Sequence, residues 1–245
     1  MAGENTKSVL TKSQTELIGY LFGSHSSAKT QLTKWIATSP RYSAFVDKYK
    51  DKIRKKLRVT RDPGATADLL YELQIPYWLL HDRRFETAYE PYSAGKTRGP
   101  DFAITFRTNF TFNIEVTHIR KLAATPIDEM LIDLRWVDVL CSKLRQLPAN
   151  VPNLLFIAST AAIPISLDLA THLAWIKSRA ESRDQQFYTR HRFLNPADFF
   201  KHYERLTGLV LLTIPGSHQI SLWLNAQARI KLPNAVKNAL YQALK

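Results

Sequence analysis

Cysteine is almost absent from these 245 residues, Cys141 being the only one. An intramolecular disulfide framework and a cysteine-based zinc site are therefore excluded, and the usage suits a reducing compartment. Glycine is scarce at 8 residues, which excludes glycine-rich architectures. The longest apolar runs, such as Leu209–Leu212, fall far short of the ~18 residues that span a bilayer. The segment from Met1 to Lys12 is polar and lacks the apolar stretch of a secretory signal. A soluble, cytoplasmic protein is expected. Acids are also few, 21 Asp+Glu against 34 Lys+Arg, for a net charge of +13. Hydrophobic residues make up 45% of the chain, enough for a buried core, so disorder is excluded as the dominant state.

A positive surplus of this size bears on partners rather than on fold, and it points to nucleic acid before anionic membrane. It is unevenly placed. Between Arg41 and Arg61 stand nine basic residues against only Asp47 and Asp51. On a helix, Phe45, Tyr49, Ile53 and Leu57 make one apolar stripe with Lys and Arg around it. Lys48, Lys52, Arg54, Lys55, Lys56 and Arg58 are then candidate contacts to a phosphate backbone, the alternative being a solvated basic face. A membrane partner is not expected, because the stripe is tied to a core rather than ending in Trp and Phe anchors.

Residues 8–60 read as helical, with Ser39-Pro40 as punctuation. Asp62-Pro63-Gly64 is a turn, after which Thr66 is expected to cap a helix that Pro76 interrupts without ending. The period then changes. Phe102–Phe106 and Phe110–Val116 alternate like strands about Thr108-Asn109. Pro126 precedes a long helix through Leu147, and Leu154–Ala158 has the continuous apolar pattern of a strand buried on both faces. A helix is expected from Ser166 to about Ala180, a loop over Glu181–Arg192, and a short helix after Pro196. Leu209–Ile214 and Ile220–Leu224 form a second hairpin-like pair, and an amphipathic helix closes the chain from Pro233 to Leu244. The order is that of an α/β or α+β protein. Residues 1–62 form a helical, basic N-terminal region, and 63–245 the core with C-terminal additions, packed as one compact unit.

Three acids stand out by position. Glu72 lies on the helix before the sheet, Asp101 opens the first strand after Gly99-Pro100, and Glu115 lies within apolar Phe112–Thr117. A carboxylate buried unpaired in such a strand is costly, so Glu115 calls for a cation or a polar site. Two carboxylates on neighbouring strands repel unless a hard cation such as Mg²⁺ or Mn²⁺ sits between them. The plainer alternatives are that Glu115 pairs with Arg107 or Arg120, that Asp101 caps a turn, and that Glu72 is solvated. Tyr71 and Glu90 are polar alternatives to Glu72, and His118 falls on the strand face opposite Glu115.

Gly99-Pro100-Asp101-Phe102 followed by Ile114-Glu115-Val116-Thr117 resembles the PD-(D/E)XK nuclease superfamily. The resemblance covers roughly residues 66–160. It implies a restriction-endonuclease-like α-β-β-β-α-β core, a mixed sheet flanked by helices, with the N-terminal helices as an elaboration. It further implies that Asp101 and Glu115 hold Mg²⁺ (or Mn²⁺) with the Val116 carbonyl, and that Glu72 is a third or water-mediated ligand. The reaction implied is hydrolysis of phosphodiester bonds in DNA. Where the motif has Lys this chain has Thr117, on the same strand face as Glu115, and a hydroxyl cannot supply an ammonium's charge. Lys121, Lys96, Arg98 or Arg120 would then supply the basic group, with Lys121 as the candidate catalytic residue and Arg98 and Arg120 also as phosphate contacts. Many such nucleases act as dimers, so a homodimer is a possible state.

Other chemistries lack their residues. There is no glycine-rich phosphate loop, no dinucleotide fingerprint and no nucleophile elbow. Cys141 lies on a helical apolar stripe and reads as core. Trp35, Trp78, Trp136, Trp175 and Trp223 all fall in apolar-periodic stretches and are expected to pack rather than stack on bases. Three readings stay open: a metal-dependent nuclease, a catalytically inactive nucleic-acid-binding module on that fold, and a protein-interaction subunit with an acidic partner.

Overall fold

In the computed structural model, the described residues are 10–22, 28–60, 62–92, 99–119, 129–159, 169–213 and 220–244. Their contacts divide the chain into two compact units, Met1–Thr87 and Ala88–Lys245. The division lies well beyond the turn at 62–64 where the sequence suggested a change of region.

The first unit is built from five helices among its described residues: α1 (Lys12–Phe22), α2 (Lys29–Thr38), α3 (Pro40–Lys48), α4 (Lys50–Val59) and α5 (Pro63–Leu79). Ser39 caps α3 by accepting the Tyr42 N–H at 3.3 Å, with Pro40 in the first turn, where its missing N–H costs nothing. The single basic helix expected across this stretch is two helices. Tyr49, at φ −111° and ψ 17°, leaves the helical region between them. The apolar stripe survives the break, because Phe45 and Ile53 are buried and the Tyr49 ring still meets Phe45 at 5.1 Å. The cap of α5 is Asp62 rather than Thr66: the Asp62 carboxylate accepts the Ala65 N–H at 2.8 Å, and Pro63 takes the first position. Pro76 stays inside α5 as expected. Arg41 then ties off the end of α5, its guanidinium donating to the carbonyls of Leu80, Asp82 and Phe85 at 2.9, 2.8 and 2.6 Å. Trp35 and Tyr77 stack at 5.2 Å beside Tyr42, so Trp35 packs as expected.

The boundary between the units falls within β1 (Phe85–Tyr89), a strand too short for alternation to reveal in the sequence. There follow β2 (Phe102–Phe106), β3 (Phe110–Ile119), α6 (Glu129–Leu144), β4 (Asn153–Ser159), α7 (Leu169–Glu181), α8 (Gln185–His191), α9 (Pro196–Tyr203), β5 (Leu206–Thr213), β6 (Ile220–Leu224) and α10 (Asn234–Ala243). The strands make one six-stranded mixed sheet in the order β1-β2-β3-β4-β5-β6. The central pairs β3–β4 and β4–β5 are parallel, while β2–β3 and β5–β6 are antiparallel hairpins. The protein is thus α/β. Residues Leu154 to Ala158 of β4 are all fully buried, as a central parallel strand requires.

One face of the sheet is covered within this unit. Ile119, Leu155, Ile157, Leu209 and Leu211 pack with residues of α6, α7, α8 and α9 into one buried cluster. The stretch expected to be a loop over 181–192 contains α8, because Asp184 accepts the N–H groups of Gln186 and Phe187 and starts a helix whose Phe187 and Tyr188 enter the core. Trp175 departs from expectation. It is 43% exposed, on the side of α7 away from Leu173 and Ile176, with Arg179 over its ring. A buried polar knot pins the start of β4: Asn113 and Asn153 are register partners, the Asn113 Nδ2 donates to Asn153 Oδ1 at 3.1 Å, and Asn153 Nδ2 lies within 2.9 Å of the carbonyls of Pro148, Val151 and Arg205. No helix among the described residues is long and apolar enough to cross a membrane.

Cys141 is fully buried in the α6 cluster, and burial pushes its thiol well above the ordinary range. A thiol reagent such as Ellman's is expected to leave the native protein unlabelled and to titrate one equivalent once urea unfolds it. Rapid native labelling would contradict this packing.

Candidate active site

The β2–β3 hairpin places the two strand acids together. Register pairs Phe102 with Ile114 at the end of β2, and β3 continues beyond that point. Asp101, the residue before β2, takes over there: its Oδ2 accepts the Val116 N–H at 2.7 Å, and its own carbonyl accepts the Glu90 N–H at 2.7 Å. The carboxylate therefore does not merely close a local turn. It substitutes for a missing strand residue and reaches the backbone beside Glu115.

Glu115 is 6% exposed, the one acid among the buried polar residues described. Its Oε1 accepts from Lys143 Nζ at 2.5 Å, with the two side chains 7% and 21% exposed. Among the described residues the cation is Lys143, from the last turn of α6, and not Arg107; Arg120 lies outside the described residues. An ammonium at that distance offsets the desolvation cost that would otherwise make a carboxylate untenable there. Lys143 was not foreseen from the sequence. The available signal was a lysine lodged among the apolar Leu140, Cys141 and Leu144 of a helix that must face the sheet.

Thr117 lies two residues along β3 from Glu115, on the same face by strand alternation, and is partly buried. Glu115, Thr117 and Lys143 thus share one face of β3, and Asp101 bonds to the backbone of that strand at Val116. Glu72 belongs to the other compact unit, where its Oε1 accepts from Lys56 Nζ at 2.5 Å. Lys56, expected as a phosphate contact, is engaged in that pair. Lys48, Lys55 and Arg58 are exposed, whereas Lys52 and Arg54 are partly buried, and the Arg54 guanidinium lies 4.1 Å from the Tyr20 ring centroid. Lys96, Arg98, Arg120 and Lys121 lie outside the described residues.

Among the described residues, no cluster of three or more His, Cys, Asp or Glu side chains is arranged to hold a metal. Asp101 and Glu115 nevertheless offer two hard carboxylate donors. That is the ligand type Mg²⁺ and Mn²⁺ prefer, and Mg²⁺ commonly takes only one or two protein carboxylates while keeping water. Chemically, the candidate site offers two carboxylates, one lysine and one hydroxyl around the β2–β3 pair. Comparison of the chain with protein-family models, curated proteins and solved structures finds no match.

Proposed function

We propose that this protein is a divalent-metal-dependent nuclease of the PD-(D/E)XK type that hydrolyses phosphodiester bonds in DNA. The observation that carries this reading is a pair of bonds at neighbouring positions of β3: Asp101 accepts the Val116 N–H, and Glu115 accepts from Lys143. The chain order α5–β1–β2–β3–α6–β4 supports the same core, with β5 and β6 extending the sheet. The candidate centre itself, with Asp101, Glu115, Thr117 and Lys143, lies in the second unit.

In it, Asp101, Glu115 and the Val116 carbonyl would hold Mg²⁺ or Mn²⁺. The ion would polarise a phosphodiester and make bound water acidic enough to serve as a nucleophile. Lys143 supplies the positive charge that Thr117 lacks, orienting on Glu115 in the resting site and offsetting negative charge as it develops on the phosphoryl group. Thr117 donates a hydrogen bond to a phosphate oxygen or to water. Exposed cations of α3 and α4, Lys48, Lys55 and Arg58, suit contact with the phosphate backbone.

A second reading, nucleic-acid binding without cleavage, is favoured by Thr117 at the motif lysine position and by the Lys143 bond already made to Glu115. One assay separates the two. Supercoiled plasmid and single-stranded oligonucleotide are incubated with Mg²⁺ or Mn²⁺ and the wild type, Asp101→Asn or Glu115→Gln. The expected result is metal-dependent cutting by the wild type and background cutting by both variants. Salt-sensitive binding with no cutting installs the second reading, and no binding at low salt ends both.

A further inference from the structure

A groove of about 580 Å³ opens between the C-terminal ends of α6 and α8, within the range of specific ligand sites. Its lining holds no apolar side chain. Three arginines, Arg145, Arg190 and Arg192, face a single acid, Asp138, with Ser142, Gln146 and His191 completing the wall.

Cations at helix C-termini are ordinary, since they complement the helix dipole. Two features here go beyond that. First, the arginines are held in place. Arg190 makes a forked pair with Asp138, Nε to Oδ1 at 2.7 Å and an Nη to Oδ2 at 2.6 Å. That uses two of the five N–H groups a guanidinium carries. Arg145 donates from its guanidinium to the Arg192 carbonyl at 2.8 Å, so its head group is anchored to the end of α8 while the residue stays exposed. Second, Arg192 is the residue that ends α8, at φ 60° and ψ 36°. This left-handed position is where glycine or asparagine is favoured, and any other L-residue costs about 1 kcal/mol. A long, exposed, charged side chain stands there instead.

We infer that this groove grips the phosphate backbone of bound nucleic acid. The inference rests on the nucleic-acid reading above and adds a second point of contact to it. Oxyanions are the ligands that forked guanidinium donors fit best, and three arginines outnumber the one acid in this lining. Placement supports the backbone as the source of the phosphate. Lys143, bonded to Glu115, is next to Ser142 of the groove wall in the last turn of α6, which leads directly into Arg145 and Gln146.

Arg192→Gly tests this cleanly, because glycine suits the left-handed position and the fold is expected to keep or gain thermal stability. Binding of a fluorescent duplex is measured by anisotropy across a NaCl series for the wild type, Arg192→Gly and Arg145→Gln/Arg192→Gly. The slope of log K against log salt is expected to become shallower by about 1 in the single variant and about 2 in the double. At ~0.1 M salt each lost contact weakens binding several-fold. Unchanged affinity and slope in both variants, with the fold intact by circular dichroism, would overturn the inference. The two readings fail separately. A wild type that cuts DNA while both slopes stay unchanged sinks the groove alone. A wild type that binds through the arginines without cutting sinks the nuclease alone.

Discussion

Lys143→Met is expected to destabilise the protein by about 3 kcal/mol, and adding Glu115→Gln is expected to restore most of that loss. The asymmetry follows from burial. Glu115 is 7% exposed at its side chain and sits opposite Leu155 of the central strand, so without Lys143 it becomes an uncompensated charge in an apolar wall. The neutral glutamine of the double variant carries no such penalty, and an apolar replacement of similar length fills the space of the lysine stem. Urea denaturation of wild type, both single variants and the double variant closes the cycle, with a coupling of 2 kcal/mol or so expected as the signature of a buried pair. Equal, additive losses would show that Lys143 and Glu115 do not act as a pair. In the cleavage assay the same lysine variant is expected to lose about 10²- to 10³-fold, the usual effect of removing one charge stabiliser from a reacting centre.

Asn153→Ala is expected to cost still more, about 4 kcal/mol, because its amide serves several buried groups at once. Pro148, Val151 and Arg205 direct carbonyls at its Nδ2, and Asn113 Nδ2 donates to its Oδ1. Each buried polar group left without a partner costs about 1–3 kcal/mol, and truncation orphans more than one. Asn153→Asp keeps the shape but turns a carboxylate toward three carbonyls, so at neutral pH it is expected to be at least as damaging. Burial raises that carboxyl's folded-state pKa above its unfolded value, so the native state binds more protons and the penalty shrinks as pH falls. Thermal melts of both variants at pH 7 and pH 4 check this. A loss below about 1 kcal/mol for the alanine variant would mean that water or rotated neighbours satisfy the knot instead.

What could be read from the sequence was whatever one strand or helix decides for itself. The β2–β3 alternation, the buried run of β4 and the β5–β6 hairpin follow from side-chain period, and the two strand acids were visible as interruptions of it. What could not be read depends on the chain meeting itself. Lys143 is 28 residues from Glu115, and neither residue's neighbours reveal the other. The break at Tyr49 and the start of α8 at Asp184 turn on local backbone conformations that apolar period does not report. The departing residue, Trp175, shows that an apolar position in a periodic stretch still needs a surface to cover it.

The parallel centre of the sheet also sets an order of assembly. Asn153 of β4 finds Asn113 of β3 40 residues earlier and Thr207 of β5 54 residues later. Each closure has to be reached by a long loop before its hydrogen bonds reward it, so this half of the molecule has the high contact order that slows folding. The helical half joins α1 with α2 and α2 with α3 across short separations, and closes longer ones where α1 meets α4 and Arg41 reaches Phe85, 44 residues on. During synthesis, residues 1–87 can condense while the ribosome is still making β4, and a β2–β3 hairpin waits with the apolar flank of β3 uncovered until residue 159 has emerged. That interval, rather than the finished fold, is where chaperone contact and aggregation would concentrate.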